Sequence, residues 1–167
     1  MGFMRTEETI CAPATGSGGA IALIRISGSK SFYICEKIFF PLDKSSKPSV
    51  NKGFTVMYGD IRDGDEIIDD VLLSIFRAPH SYTGENSIEI SCHASPYIQR
   101  KILELLIQNG AVPALPGEFT QRAFMNGRMD PLIQNIRSRP RVSMQSRLTM
   151  DAHCQAIPLT SLSIMHH

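Results

Sequence analysis

The chain has 167 residues, of which 43% are hydrophobic and 20% are charged, and these values are typical of a water-soluble globular protein. This length corresponds to one domain, with or without an appendage, and it is sufficient to bury a hydrophobic core. The sequence contains no run of 18 apolar residues, and residues 1–9 do not resemble a signal peptide, so we expect a cytoplasmic protein without a membrane span.

The charges are unevenly distributed, although the formal net charge is only +1. Residues 1–130 contain 13 Lys/Arg and 15 Asp/Glu, whereas residues 131–167 contain four arginines and one aspartate. The first segment is therefore not a nucleic-acid-binding surface by composition. The second segment has poor apolar periodicity, which predicts a basic tail that is disordered or loosely docked.

The four cysteines show no spacing that matches a zinc site; they are Cys11, Cys35, Cys92 and Cys154. Buried, reduced thiols in a cytosolic protein are the expected interpretation. A metal site at Cys92 and His93 is the alternative. It is disfavoured because adjacent residues of a strand point to opposite faces of the sheet.

The first predicted strand covers residues 20–26, which are rich in β-branched side chains and follow the glycine-rich loop 16–19. Arg25 interrupts this apolar run. A charge in a buried strand belongs either to a structural ion pair or to a functional site, and the sequence leaves both interpretations open.

A helix is predicted next, because residues 27–29 offer a cap and apolar residues follow at helical spacing through Phe39. This helix should end at Pro41. Residues 43–52, with their lysines and serines, predict a solvated loop.

A β-hairpin is predicted from two strands, residues 54–61 and 67–76, that flank the Asp-Gly-Asp sequence at 63–65. The acidic residues around this turn resemble a calcium loop only superficially, because the spacing of an EF-hand is missing. We expect them to form a solvated hairpin tip; they are Asp63, Asp65, Glu66, Asp69 and Asp70.

The remaining elements are a strand at 87–92, a helix from Pro96 to Asn109, a short edge strand at 111–115 and a helix that follows residues 116–118. The pattern as a whole predicts an α+β domain over residues 1–130, with a mixed or antiparallel sheet and about three helices.

Three charged residues from separate elements are candidates for binding a planar, polar ligand. Glu89 lies on the polar side of the alternating strand 87–92, and a carboxylate accepts two N–H bonds from an amino-pyrimidine edge. Arg25 and Arg128 could each bind a carboxylate or carbonyl through the guanidinium fork. No Gly-x-x-x-x-Gly-Lys-Ser/Thr motif occurs, so no phosphate-binding loop of that type is expected.

Three segments together resemble the N-terminal domain of the tRNA modification GTPase family called MnmE or TrmE. They are residues 12–28, with a glycine loop and Arg-Ile-Ser-Gly, residues 78–85 (Ala-Pro-His-Ser-Tyr-Thr-Gly-Glu), and residues 116–130, which begin with Pro-Gly-Glu-Phe-Thr. The resemblance covers about residues 7–130, with the segments in the family's order and spacing.

The resemblance implies a fold similar to the folate-binding domain of aminomethyltransferases, a homodimer, and a 5-formyltetrahydrofolate-type ligand. The ligand-contacting positions of the family map onto Arg25, Glu89 and Arg128. The full-length family adds a helical domain and a GTPase domain. It acts with a flavoprotein partner, MnmG or GidA, on the wobble uridine of certain tRNAs.

The chain departs from the family at Arg128, where Lys is common, and after Asp130, where the family's helix pattern is lost. Because the phosphate-binding motif and the GTPase domain of the family are missing from this sequence, we expect no GTP, Mg²⁺ or K⁺ site and no GTP hydrolysis in this chain. No catalytic residue is predicted, and the sequence leaves open whether the chain is an enzyme. Two alternatives remain, a stand-alone folate-dependent aminomethyl-type transferase and a truncated scaffold without a ligand site. For residues 131–167, a basic tRNA-binding arm is the alternative to a disordered tail.

Overall fold

The structure, a computed structural model, describes residues 7–16 and 18–128. Seven strands and three helices occur in them. The strands are β1 (Ile10–Pro13), β2 (Ile21–Ser27), β3 (Phe39–Pro41), β4 (Thr55–Asp63), β5 (Glu66–Phe76), β6 (Ser87–His93) and β7 (Val112–Pro113). The helices are α1 (Ser31–Ile38), α2 (Pro96–Gln108) and α3 (Glu118–Met125).

The strands form one sheet in the order β3-β4-β5-β6-β2-β1-β7. Every neighbouring pair is antiparallel except β1 and β7, which are parallel, so the sheet is mixed. This arrangement confirms the predicted α+β class. The hairpin prediction is also correct, because β4 and β5 pair along their length and turn at Gly64, whose φ is +60°.

One face of the sheet is covered by α1 and α2 and holds the hydrophobic core. Alternate residues of β2 and β6 point to that face, and Ile24, Ile26, Ile88 and Ile90 are fully buried there. A sheet that packs one face against helices requires apolar side chains at alternate positions of its central strands. The core therefore fixes the register of both strands, and with it the residues that face the other way.

The opposite face, which we call the open face, carries large apolar side chains that remain 44–60% exposed. These side chains are Ile21, Phe40, Val56, Tyr58 and Leu72. Among the described helices, only α3 reaches towards this side, through Phe119 at one end. Exposed apolar side chains on one sheet face form the kind of patch that proteins use for association.

A helix follows residues 27–29, as predicted, but it ends at Ile38 and does not include Phe39. Phe39 has extended backbone angles and begins β3, because it pairs with Ile61 of β4. The cap is also different, since the hydroxyl of Thr9, not a residue of 27–29, accepts the backbone N–H of Lys30 at 3.0 Å. Tertiary pairing has overridden a local apolar pattern here.

The three cysteines of the described residues are buried and reduced, as expected; they are Cys11, Cys35 and Cys92. Burial raises the pKa of Cys11 and of Cys92 to about 11, and it also raises the pKa of Cys35. Cys92 points into the core while His93 is exposed, which agrees with the argument against a shared metal ion. Cys154 and the predicted tail at 131–167 lie outside the described residues.

Candidate functional site

Arg25 and Glu89 form a cross-strand ion pair on the open face. They are direct register partners on β2 and β6. Both Nε and Nη2 of Arg25 donate to Oε1 of Glu89, at 2.9 and 2.7 Å. The side chains are 18% and 20% exposed, so the pair is largely shielded but still reachable from solvent. Of the two interpretations that the sequence left open for Arg25, the ion pair is thus observed, and it does not exclude a functional role.

The bonding pattern leaves part of the Glu89 carboxylate available. Both bonds from Arg25 end on Oε1, and no other described residue donates to Oε2. A carboxylate oxygen held in a fixed orientation can accept a hydrogen bond from a ligand N–H. Arg25 thus positions Glu89 in addition to offering its own charge.

Two aromatic rings flank the Arg25 guanidinium. Its central carbon lies 4.5 Å from the ring centroid of Tyr82 and 5.5 Å from that of Phe119. The Tyr82 hydroxyl lies 3.1 Å from the Thr120 hydroxyl, which joins the two segments that supply the rings. Cation–π contacts of this kind hold a guanidinium plane in one orientation. The result is a site with a fixed ion pair beside two aromatic side chains.

Arg128 lies beside the loop that supplies Tyr82. Its Nε donates to the Ser81 carbonyl at 3.1 Å, and Asn126 Nδ2 donates to the Thr83 carbonyl at 2.7 Å. Gly84 has a φ of +79°, and a Cβ there would lie 2.7 Å from the Asn126 Cβ. The close approach of residues 126–128 thus requires glycine at position 84.

A mostly buried polar network anchors the loop beneath these contacts. Arg122, only 4% exposed, donates to the Glu85 carboxylate at 3.2 and 3.3 Å and to Glu118 at 3.0 Å. The Ser27 hydroxyl lies 2.6 Å from that of Thr83 and donates to Glu85 at 2.7 Å. Strand β2, the 81–86 loop and α3 are therefore connected through one carboxylate, Glu85.

The structure brings two of the three predicted site residues into contact and links the third to them only through the 81–86 loop. Arg25 and Glu89 touch directly, and Arg128 contacts Ser81, the neighbour of the Tyr82 that stacks on Arg25. Sequence reasoning missed Tyr82 and Phe119 as partners of Arg25. A signal was present, because Tyr82 and Phe119 lie inside segments 78–85 and 116–130, which resemble the family.

A second polar cluster lies at the other end of β6. Asp69, Asp70 and His93 place possible metal-ligand atoms within 4.8 Å of one another. Asp69 is buried, which corrects its predicted place in a solvated hairpin tip. One Asp69 oxygen accepts the backbone N–H of His93 and the other lies beside His93 Nδ1, both at 2.8 Å. The side-chain hydrogen bond to Asp69 raises the pKa of His93. The Asp69 carboxylate thus binds the last residue of β6 through both its backbone and its side chain.

The helices of the described residues are all too short or too polar to cross a membrane. The longest of them, α2, has 13 residues.

Comparison with known proteins gives one family. The family described as GTP-binding protein TrmE N-terminus matches residues 9–128. A tRNA modification GTPase MnmE from Bacteroides thetaiotaomicron is 53% identical over 124 residues, which are 74% of this chain and 27% of that protein. The relative of the same name from Lachnoclostridium phytofermentans is 49% identical over 128 residues, 76% of this chain and 28% of that protein.

The match extends over all ten described elements, from β1 to the end of α3, and includes Arg25, Glu89, Arg122 and Arg128. The chain spans about a quarter of the length of these relatives. On the residues matched and the identity found, the chain belongs to the family of TrmE N-terminal domains.

Proposed function

We propose that this chain is a folate-binding, homodimerising domain that serves tRNA modification. The ligand class is a tetrahydrofolate one-carbon derivative such as 5-formyltetrahydrofolate. The relatives are named as tRNA modification GTPases, and this name supports the biological setting. The single observation that carries the ligand proposal is the oriented Glu89 carboxylate, whose Oε2 accepts no bond from a described residue.

The donor set fits such a ligand in chemical terms. A reduced pterin presents N–H groups along one edge, and Glu89 Oε2 is an acceptor for them. Folates end in a glutamate whose carboxylates need cations, and the Nη atoms of Arg128 bond to no described residue. The rings of Tyr82 and Phe119 supply apolar surface beside the pair. The residues bind and orient the ligand; none of them is assigned a chemical step.

Dimerisation is the second part of the proposal, and the open face supports it. Five large apolar side chains on this face are 44–60% exposed, although one face of the same sheet is well packed. A second copy is the occupant we propose, because a symmetric pair covers equal patches on both chains. In the full-length relatives, the flavoprotein MnmG or GidA and the tRNA would be the further partners.

The dimer can be tested by light scattering at micromolar concentration, where it should give twice the 18.5 kDa chain mass. Leu72→Glu, on the open face, should shift the mass to that of one chain. Ile107→Glu on α2 is the matched control, since these side chains are 47% and 41% exposed in the structure. A monomeric wild-type chain would contradict this part of the proposal.

The ligand site can be tested with Glu89→Gln, titrated by calorimetry with 5-formyltetrahydrofolate. The amide turns one acceptor oxygen into a donor, and the lost charge-assisted bond should cost about 2–4 kcal/mol. That range corresponds to an affinity loss of roughly 30- to 1,000-fold. Glu104→Gln, at a carboxylate of α2 that is 51% exposed, is the control and should bind as tightly as wild type. Equal affinity in both variants would remove Glu89 from the site.

A further inference from the structure

A groove of about 640 Å³ lies at the β3 edge of the sheet, away from the Arg25–Glu89 pair. We call it the edge groove. It runs from α1 over β3 and β4 to the loop after β3, and its lining includes Tyr33, Lys37, Phe40, Lys44, Lys47 and Tyr58. β3 and β6 are three strand spacings apart, which places the groove roughly 14 Å across the sheet from Glu89.

Three aromatic rings of this lining are half exposed. Tyr33 is 59%, Phe40 44% and Tyr58 49% exposed. Gly59 lies on the floor, where a Cβ would collide with the Phe40 carbonyl and come within 2.7 Å of the Pro41 Cα. Pro41 and Gly59 are register partners on the paired strands β3 and β4, so the backbone there is closely packed. Cations already border two of the rings, because Lys37 Nζ lies 4.7 Å from the Tyr33 centroid and the Arg62 guanidinium carbon lies 5.2 Å from the Phe40 centroid. Each ring nevertheless keeps exposed surface that a planar ligand can contact.

The groove also carries an excess of positive charge, although residues 1–130 as a whole contain more Asp/Glu than Lys/Arg. Its cations are Lys37, Lys44, Lys47 and Arg62, against two carboxylates. Both carboxylates are already engaged: Asp60 binds Arg62 at 2.7 Å, and Glu36 accepts the Ser49 N–H at 2.8 Å.

Lys44 and Lys47 remain available to a ligand, because neither forms an ion pair with any described residue. Arg62 is already engaged, because it pairs with Asp60 at 2.7 Å and lies over the Phe40 ring. The two free ammonium groups are therefore the groups that an anion in this groove would engage.

We propose that the edge groove binds a nucleotide, with the base against the exposed rings and the phosphate at Lys44 and Lys47. Aromatic faces next to cations are the combination that holds a base and its phosphate without reading the sequence. The volume suits one such unit. The nucleotide could be free or part of single-stranded RNA. This proposal goes beyond the folate site and shares no residue with it.

An anion without a ring would use only the lysines, and an apolar peptide would use only the rings. A nucleotide is the one of these three that uses both. Two of the three rings, Phe40 and Tyr58, also lie on the open face. Tyr33, Lys44 and Lys47 belong to α1 and to the loop after β3, so variants at these three positions test the groove without changing an open-face residue.

The test uses the full chain and three probes: uridine monophosphate, a fluorescein-labelled single-stranded oligouridine of about ten nucleotides, and inorganic phosphate. Calorimetry measures the small ligands and fluorescence anisotropy measures the oligomer. The variants are Tyr33→Leu, Tyr33→Phe and the double variant Lys44→Ala/Lys47→Ala. The charge-matched control is Lys30→Ala/Lys52→Ala, at exposed lysines outside the lining.

We expect Tyr33→Leu to weaken binding about 5- to 100-fold and Tyr33→Phe to retain it, because stacking needs the ring and not the hydroxyl. The Lys44/Lys47 double variant should weaken binding and lower the slope of log affinity against log salt by about 1.4 for the oligomer. Binding of the monophosphate would assign a free nucleotide, and binding of the oligomer alone would assign RNA. The proposal is overturned if neither uridine monophosphate nor the oligouridine binds, or if inorganic phosphate binds as tightly as the nucleotide. It is also overturned if the Lys30/Lys52 control loses as much affinity as the Lys44/Lys47 double variant.

Discussion

Replacement of Arg122 by Met should strongly destabilise the domain, because Arg122 lies at the centre of a mostly buried polar network. Arg122 is 4% exposed and joins Glu85 with Glu118, whose side chains are 17% and 8% exposed. It also donates to the Glu8 carbonyl at 2.8 Å. Arg122→Met keeps much of the volume but removes the charge and every donor. Two largely buried carboxylates then lose the cation between them.

The expected cost follows from that burial. Breaking a buried ion pair from one side costs about 3–5 kcal/mol, because the remaining charge stays in a low-dielectric site. An exposed pair is worth at most about 1 kcal/mol. For a domain of this size the loss corresponds to a fall in melting temperature of roughly 12–20 °C, at about 4 °C per kcal/mol.

Urea unfolding of the full chain, followed by far-UV circular dichroism, measures this difference. Arg100→Met is the control, because Arg100 and Glu104 form an i,i+4 pair at 3.7 Å with both side chains at least half exposed. That variant should lose no more than about 0.5 kcal/mol. If Arg122→Met lost as little as Arg100→Met, the buried network would not anchor the 81–86 loop as described.

Three further predictions concern the rest of the fold. His93→Gln should lower the melting temperature more at about pH 5.5 than at about pH 9. The pKa of His93 is raised in the folded chain, so the contribution of His93 to folding stability is fully present below its unfolded pKa. That contribution is lost as the pH rises through the folded pKa. Equal effects at both pH values would show that the proton on His93 does not stabilise its bond to Asp69. The buried thiols should resist alkylation at neutral pH until denaturant is added, as peptide mapping by mass spectrometry would report; they are Cys11, Cys35 and Cys92. Gly59→Ala should destabilise the chain by about 2 kcal/mol or more, because backbone atoms of β3 block the new Cβ. Gly16→Ala, with open space around it, should change stability little. A melting temperature unchanged by Gly59→Ala would refute the close approach of β3 to Gly59.

Much of the sheet was predictable because its strands carry strong local signals. The alternation of polar and apolar residues along 87–92 predicted β6 and its polar side, and the Asp-Gly turn predicted the β4–β5 hairpin. Strands β1 and β3 were not predicted. β1 is only four residues long and directly precedes a glycine-rich loop, and β3 continues the apolar pattern of α1. Pairing decides both elements, since β1 pairs with β2 and β3 pairs with β4, and the local apolar pattern does not encode these contacts.

The candidate site was predictable in its charged residues but not in its connections. An arginine in an apolar strand and a glutamate on a polar strand side are visible in the sequence, but the pairing of Arg25 with Glu89 depends on the β2–β6 register. The contact between Glu85 and Arg122 joins positions 37 residues apart, so it could not be predicted from local sequence. This contact gives the segments around both residues a structural role in addition to their place near the candidate site.

The central claim is that the end of the open face around Arg25, Glu89 and Arg128 binds a reduced folate. Calorimetric titration of the wild-type chain with 5-formyltetrahydrofolate tests it most directly, with circular dichroism to verify the fold. We predict saturable heat that ends at one ligand per chain and disappears when Glu89 and Arg128 are both replaced, by Gln and Met. A folded chain that gives no saturable heat would contradict the claim and would leave a scaffold without a ligand at this site.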